Sequence, residues 1–134
     1  MEVIRWGILG LGNIAHKFAT DLSKVNGCKL YGVASSREQV AEKFAVEFNV
    51  KKFYNNYQKL ILDKEIDIIY VATLNQDHYK YSIEALSNKK AVLCEKPLAI
   101  NKSQVQNLIK CSKKNSSFLM EALWTRFNPT FKQL

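Results

Sequence analysis

Short runs of β-branched and aliphatic residues alternate along this chain with segments whose apolar positions recur every three to four residues. "VIRWGIL" (3–9) predicts a first strand, followed by a glycine turn and a helix carrying Ile14, Ala15, Phe18, Ala19 and Leu22 on one face. Asn26–Gly27 ends that segment, and "CKLYGVAS" (28–35) predicts a second strand. Ser36 and Gln39 have capping-box spacing ahead of a helix with Val40, Ala41, Phe44, Ala45 and Phe48 on one face. "KKFY" predicts a short strand, and Tyr57, Leu60 and Ile61 a short helix. "IDIIYVAT" (66–73) predicts a fully buried strand, Tyr79, Ile83 and Leu86 a helix, and "KAVLCE" (90–95) another strand. Asn101 is placed to cap a helix with Val105, Leu108 and Ile109, and "SFLMEA" (117–122) predicts a last strand. Asn128 followed by Pro129 is the signal of one more helix start. Strands alternating with helices imply a parallel sheet covered on both faces, that is, a doubly wound α/β domain. A helix beginning five residues before the last one leads us to expect a chain that normally continues.

Composition narrows the class. The 134 residues fit one domain, 47% hydrophobic and 24% charged. No apolar run approaches the ~20 residues of a membrane span, and "MEVIRWGILG" lacks the form of a signal peptide. Cys28, Cys94 and Cys111 are scattered and odd in number, so they read as reduced thiols in a cytoplasmic protein, with no metal site. The formal charge of +8 raises the question of nucleic acid. All but three of the 20 basic residues are lysines, many late in or just after the helical segments, where cations complement the helix dipole. We therefore expect no nucleic-acid partner and no membrane partner.

The chemistry begins at "GLGNIA" (10–15), a G-x-G-x-x-A between a strand and a helix. In that setting Gly10 permits a tight turn and Gly12 lets the backbone approach a pyrophosphate. The first helical N–H groups, at Asn13 and Ile14, would bind its phosphates. The end of the second strand distinguishes the dinucleotides. A carboxylate there holds the ribose hydroxyl of NAD, and an arginine accepts the phosphate of NADP. "SSRE" (35–38) offers Ser35, Ser36 and Arg37, with no acid at the strand end. NADP is expected, with NAD as the alternative.

"RWGILGLGNIA", "VATLNQDHYKYSIEAL", "KAVLCEKPLA" and "FLMEALWTRFNP", in that order, resemble the glucose–fructose oxidoreductase / inositol dehydrogenase superfamily, and most its dihydrodiol and NADP-xylose dehydrogenase branch. The resemblance implies a Rossmann domain over 1–123, and 124–134 as the start of a connection to a second α/β domain. It implies hydride transfer between a nicotinamide cofactor and an alcohol, diol or sugar, in a full-length homo-oligomer. A nucleotide-binding module without catalysis is the alternative. Gly10, Gly12 and Asn13 match the pyrophosphate loop, and Thr73, Leu74, Asn75 and His78 match a loop along the cofactor. Lys96 matches the catalytic lysine of an E-K-P motif whose Lys–Pro bond is often cis. Partial burial would help it manage the substrate proton, while Glu95 faces away or braces the loop. Trp124 and Arg126 match a segment on the nicotinamide side, where Trp124 reads first as a packing residue. His78 also reads as a surface histidine on a helix's first turn. Lys89 stands where relatives often have glycine, with Asn88 beside it expected to make the turn.

Overall fold

The computed structural model describes residues 2–133. Six parallel strands, β1 (Ile4–Leu9), β2 (Cys28–Ala34), β3 (Lys52–Tyr54), β4 (Ile68–Val71), β5 (Ala91–Glu95) and β6 (Leu119–Ala122), form one sheet in the order β3-β2-β1-β4-β5-β6. Between them run α1 (Asn13–Leu22), α2 (Glu38–Glu47), α3 (Tyr57–Ile61), α4 (His78–Ser87) and α5 (Lys102–Asn115). A short α6 (Pro129–Lys132) comes after β6. The strand order reverses between β1 and β4, the switch point of a doubly wound sheet.

Alternation along each strand sorts the core into two layers. Ile8, Val33 and Tyr70 face one side, with Ala15, Ala19, Ala41 and Phe44 of α1 and α2. Leu9, Ala34, Ile69, Val71, Val92 and Cys94 face the other, with Leu60, Leu86 and Leu108 of α3, α4 and α5. Burying each large aliphatic side chain contributes about 1.5–3 kcal/mol. β4 is buried at every position, as its unbroken apolar run predicts. β5 is not. Val92 and Cys94 are fully buried, but Leu93 and Glu95 are only partly so, because neither α1 nor α2 reaches across that half of the sheet. An apolar groove of about 630 Å³ runs there, walled by Ile14, Phe18, Tyr70, Leu93, Met120 and Trp124.

Helix ends show where side-chain rules held and where they gave way. Asn101 and Asn128 cap α5 and α6 through their side-chain oxygens, as expected. The capping box at Ser36 does not form. Arg37 occupies the cap position of α2 with no side-chain cap, and its N–H instead donates to Ser35 Oγ at 3.2 Å. The turn after α4 is made by Lys89 at φ +58°, while Asn88 stays at φ −92°. Lys89 N–H donates to Leu86 O and Lys90 N–H to Ala85 O, so it is the residue after the cap that must turn left-handed. Asn88 sits one position too early, and its amide donates to Glu84 O.

Candidate functional site

The strand register brings the predicted residues to one edge. Tyr54, Ala34, Leu9, Val71, Cys94 and Glu121 pair in a single row across all six strands. Just beyond that row, on the carboxyl side, lie Gly10 and Gly12, Ser35 to Arg37, Thr73 to Asn75, and Lys96. Trp124 and Arg126 come after β6 in a short 3-10 turn at the same edge. These segments therefore stand over the switch point, where open α/β sheets bind ligands.

The glycine turn is held from two sides. Gly10 has φ +86°, and a Cβ placed on it would sit 2.5 Å from Ala72 O. Only glycine lets β1 pass so close to the end of β4. Gly12 is different: a Cβ there would meet nothing within 4 Å. Its space is open, as a site for a bound group requires. Gly12 is also the cap residue of α1, with no side-chain cap and no acid in the first turn. The N–H groups of Asn13 and Ile14 thus begin a ten-residue helix without an internal partner. These features fit a dinucleotide pyrophosphate. Ser35 is buried, while Ser36 and Arg37 are exposed at the tip of β2. The Tyr57 hydroxyl is raised above its ordinary range, mainly by burial and by the neighbouring Tyr81.

The loop carrying Lys96 is pinned at three consecutive residues. Lys96 N–H donates to Glu95 Oε2 at 3.2 Å, Pro97 O faces His78 Nδ1 at 2.7 Å, and Leu98 N–H donates to Glu121 Oε2 at 2.7 Å. The Lys96–Pro97 bond is cis. Glu95 is itself held by Tyr70, whose hydroxyl donates to Oε1 at 2.6 Å. Burial, then the Glu95 contact, drives the Tyr70 phenol far above its ordinary range, so it stays a donor. Glu95 therefore braces the loop. Cys94, beneath it, is fully buried, and burial pushes its thiol up to about 12. That removes it as a nucleophile.

Two expectations need correction. His78 does open α4, but it is no surface residue: it is 1% exposed, with both ring nitrogens turned to backbone carbonyls. Lys96 is exposed rather than partly buried. Trp124 is also exposed, at 66%, and borders the groove. Sequence reasoning missed Tyr70 and Glu121. Tyr70 reads as one more core residue of β4. Glu121 carried a usable signal, a lone acid inside an apolar strand, since such a charge needs a partner.

Among the described residues, no ion pair involves Arg37, Lys96 or Arg126. No group of His, Cys, Asp and Glu among them could hold a metal, and no helix is long and apolar enough to cross a membrane.

The doubly wound sheet, the bare helix start behind a G-x-G turn and the cationic edge define a dinucleotide-binding domain. Residues 4–123 match the model of the GFO/IDH/MocA oxidoreductase family, with its NAD-binding Rossmann fold, and the chain belongs to this family. It is 38% identical to the trans-1,2-dihydrobenzene-1,2-diol dehydrogenase of Danio rerio over 94% of this chain and 38% of that protein. The same enzyme of Mus musculus is 37% identical over 98% of this chain and 40% of its own length. Among solved structures, the 3-ketoreductase KijD10 of Actinomadura kijaniata, in complex with NADP and TDP-benzene, superposes with a TM-score of 0.95 at 26% identity, covering 98% of this chain and 41% of that one. An NAD binding oxidoreductase of Klebsiella pneumoniae gives 0.88 at 26%, covering 98% and 37%. The chain spans about two fifths of the length of the curated relatives it matches.

Proposed function

We propose that this domain holds NADP and, in a continuous chain with a substrate domain, transfers hydride to or from a secondary alcohol carbon of a diol or sugar. The observation that carries this is the convergence of the open Gly12 turn, Arg37 and the pinned Lys96 on one sheet edge. The bound nicotinamide supplies the hydride chemistry. Asn13 and Ile14 N–H groups bind the pyrophosphate, and the Arg37 guanidinium pairs with the ribose phosphate that distinguishes NADP from NAD. Thr73, Leu74 and Asn75 lie along the cofactor. The Lys96 ammonium hydrogen-bonds the substrate oxygen, stabilises negative charge on it and exchanges its proton. Trp124 and Arg126 close the nicotinamide side. Two dihydrodiol dehydrogenases among the relatives, and a ketoreductase with NADP among the structures, support the alcohol–carbonyl class and the cofactor.

Calorimetric titration tests the cofactor step. Micromolar NADPH affinity, weakened about tenfold in Arg37→Ala with NADH unaffected, is expected. No binding at millimolar cofactor refutes the reading. Turnover tests the rest: in the continuous chain, Lys96→Ala should lower kcat about 100-fold or more. Binding without any oxidation of diols or sugars would leave a nucleotide-binding module instead.

A further inference from the structure

His78 stands apart from the other site residues because its ring touches two of the site's loops and cannot reach the ligand space itself. It is 1% exposed, the first residue of α4, and lies directly under the edge. Nδ1 lies 2.7 Å from Pro97 O, in the loop that carries Lys96. Nε2 lies 3.1 Å from Thr73 O, at the head of the Thr73–Asn75 segment beyond β4. Both partners are carbonyl oxygens, so each needs an N–H. A neutral ring donates to only one of them, so holding both takes the doubly protonated imidazolium, the form in which the ring acts as a lock. Neither loop has regular secondary structure to hold it at these atoms. Thr73 Oγ1 makes only a long 3.5 Å contact, to Leu74 O. Pro97 has no N–H of its own, so its carbonyl is the only polar backbone group by which that residue can be fixed. The carbonyls of two loops from neighbouring strands thus share one buried side chain.

We propose that His78 is a positioning residue that locks the cofactor-side loop, 73–75, to the lysine loop, 95–98, so that Lys96 is presented at a fixed distance from the bound dinucleotide. This rests on the function proposed above, in which both loops face the cofactor. Lys96 is flanked by pins on its own loop from Glu95, which Tyr70 of β4 holds in turn, and from Glu121 of β6, but neither pin touches the 73–75 segment. The imidazole is the link to that segment. Its role is therefore to set the separation of two functional segments, which a residue merely filling the core does not do.

The two links can be cut separately. In His78→Asn the side-chain amide takes the place of Nδ1 and retains a donor for Pro97 O. In His78→Gln it takes the place of Nε2 and retains a donor for Thr73 O. Peptide-resolved hydrogen exchange on the 134-residue chain, without cofactor, reads the loops directly. Amides in 73–77 should exchange about fivefold faster in His78→Asn, and amides in 96–100 about fivefold faster in His78→Gln, with the other loop unchanged in each case. NADPH titration should then show about tenfold weaker binding in His78→Asn and near-normal binding in His78→Gln. Equal acceleration of both loops in both variants would reduce His78 to a core residue and overturn the proposal. So would a split in exchange with unchanged NADPH affinity in His78→Asn. Failure of the wild-type chain to bind NADPH, with the exchange split intact, would instead overturn the cofactor reading and with it the role of the lock.

Discussion

At the amino edge of the sheet Arg5, Lys52 and Lys90 end on acceptors of the chain, whereas three cations at the carboxyl edge stand without ion-pair partners among the described residues. Arg5 donates through Nε and Nη2 to the Asp67 carboxylate at 3.1 and 3.0 Å. Asp63 accepts from Tyr54 Oη at 2.6 Å, Lys52 Nζ at 3.0 Å and Glu65 N at 2.9 Å. Lys90 places its ammonium on Asp63 O and Ile66 O, at 2.6 and 2.7 Å, where burial lowers its pKa. Each of these donors ends on an acceptor of the same chain. The unpaired three at the other edge are Arg37, Lys96 and Arg126. The difference separates cations that close the fold from cations that, in the function proposed above, await a ligand. A net charge of +8 says nothing of this division.

The contrast can be broken at either edge. The largest effect is expected at the glycine turn. Gly10→Ala forces a Cβ to 2.5 Å from Ala72 O at a positive φ, and should destabilise the domain by about 3 kcal/mol in urea unfolding. Gly12→Ala, two residues on, meets open space. It should unfold within about 0.5 kcal/mol of the parent chain yet bind NADPH about tenfold more weakly. At the amino edge, Asp63→Ala leaves Tyr54 and Lys52 without their acceptor and should lower stability by about 2 kcal/mol. Arg126→Ala at the other edge should change it by less than about 0.5 kcal/mol. A reversal of that ranking would remove the distinction between the edges.

Acid should act through the amino edge as well. The hydrogen bond from Arg5 holds the Asp67 carboxyl below the usual carboxylate range. Burial opposes ionisation of Asp63, but hydrogen bonds from Tyr54, Glu65 N–H and Lys52 bring it below that range too. A carboxyl depressed in the folded state contributes stability above its unfolded pKa of about 4 and loses it as pH falls through the lower folded value. Thermal unfolding should therefore be insensitive to these groups near neutrality and weaken below about pH 4, with a shallower acid slope in Asp67→Asn. The smallest effect concerns Lys89, which holds a left-handed backbone that glycine adopts freely. Lys89→Gly should raise stability by about 0.5 kcal/mol, read as a small shift in the urea midpoint.

Much of this was legible in the residues, for definable reasons. Alternating apolar runs and helical periods placed every strand and α1 to α5 to within a few residues, because burial on two sheet faces leaves a strong pattern. The edge segments could be read from the strand ends alone. What escaped were contacts between chain-distant polar atoms. Nothing near "QDHYK" marks His78 as buried, because its acceptors are carbonyls of Thr73 and Pro97, and every residue has a carbonyl. Tyr70 looks like core and is core, but its hydroxyl reaches Glu95, 25 residues on. The capping box at Ser36 failed because α2 starts one residue later than that spacing requires, with Arg37 rather than Ser36 at the cap position. Local rules cannot rank neighbouring candidates for a helix start.

The single register row has a consequence for how such a site can diversify. Tyr54, Ala34, Leu9, Val71, Cys94 and Glu121 are tied by backbone ladders that do not depend on the identity of the segments beyond them. Each functional segment is then an independent cassette on a common frame. In the function proposed above, exchanging the tip of β2 would change nucleotide preference without moving Lys96, and the segment after β6 could be lengthened without disturbing the glycine turn. The pair Thr73 and Lys96 is the exception, since one imidazole bridges their loops. Sequence drift should be free in the first set of cassettes and concerted in that pair.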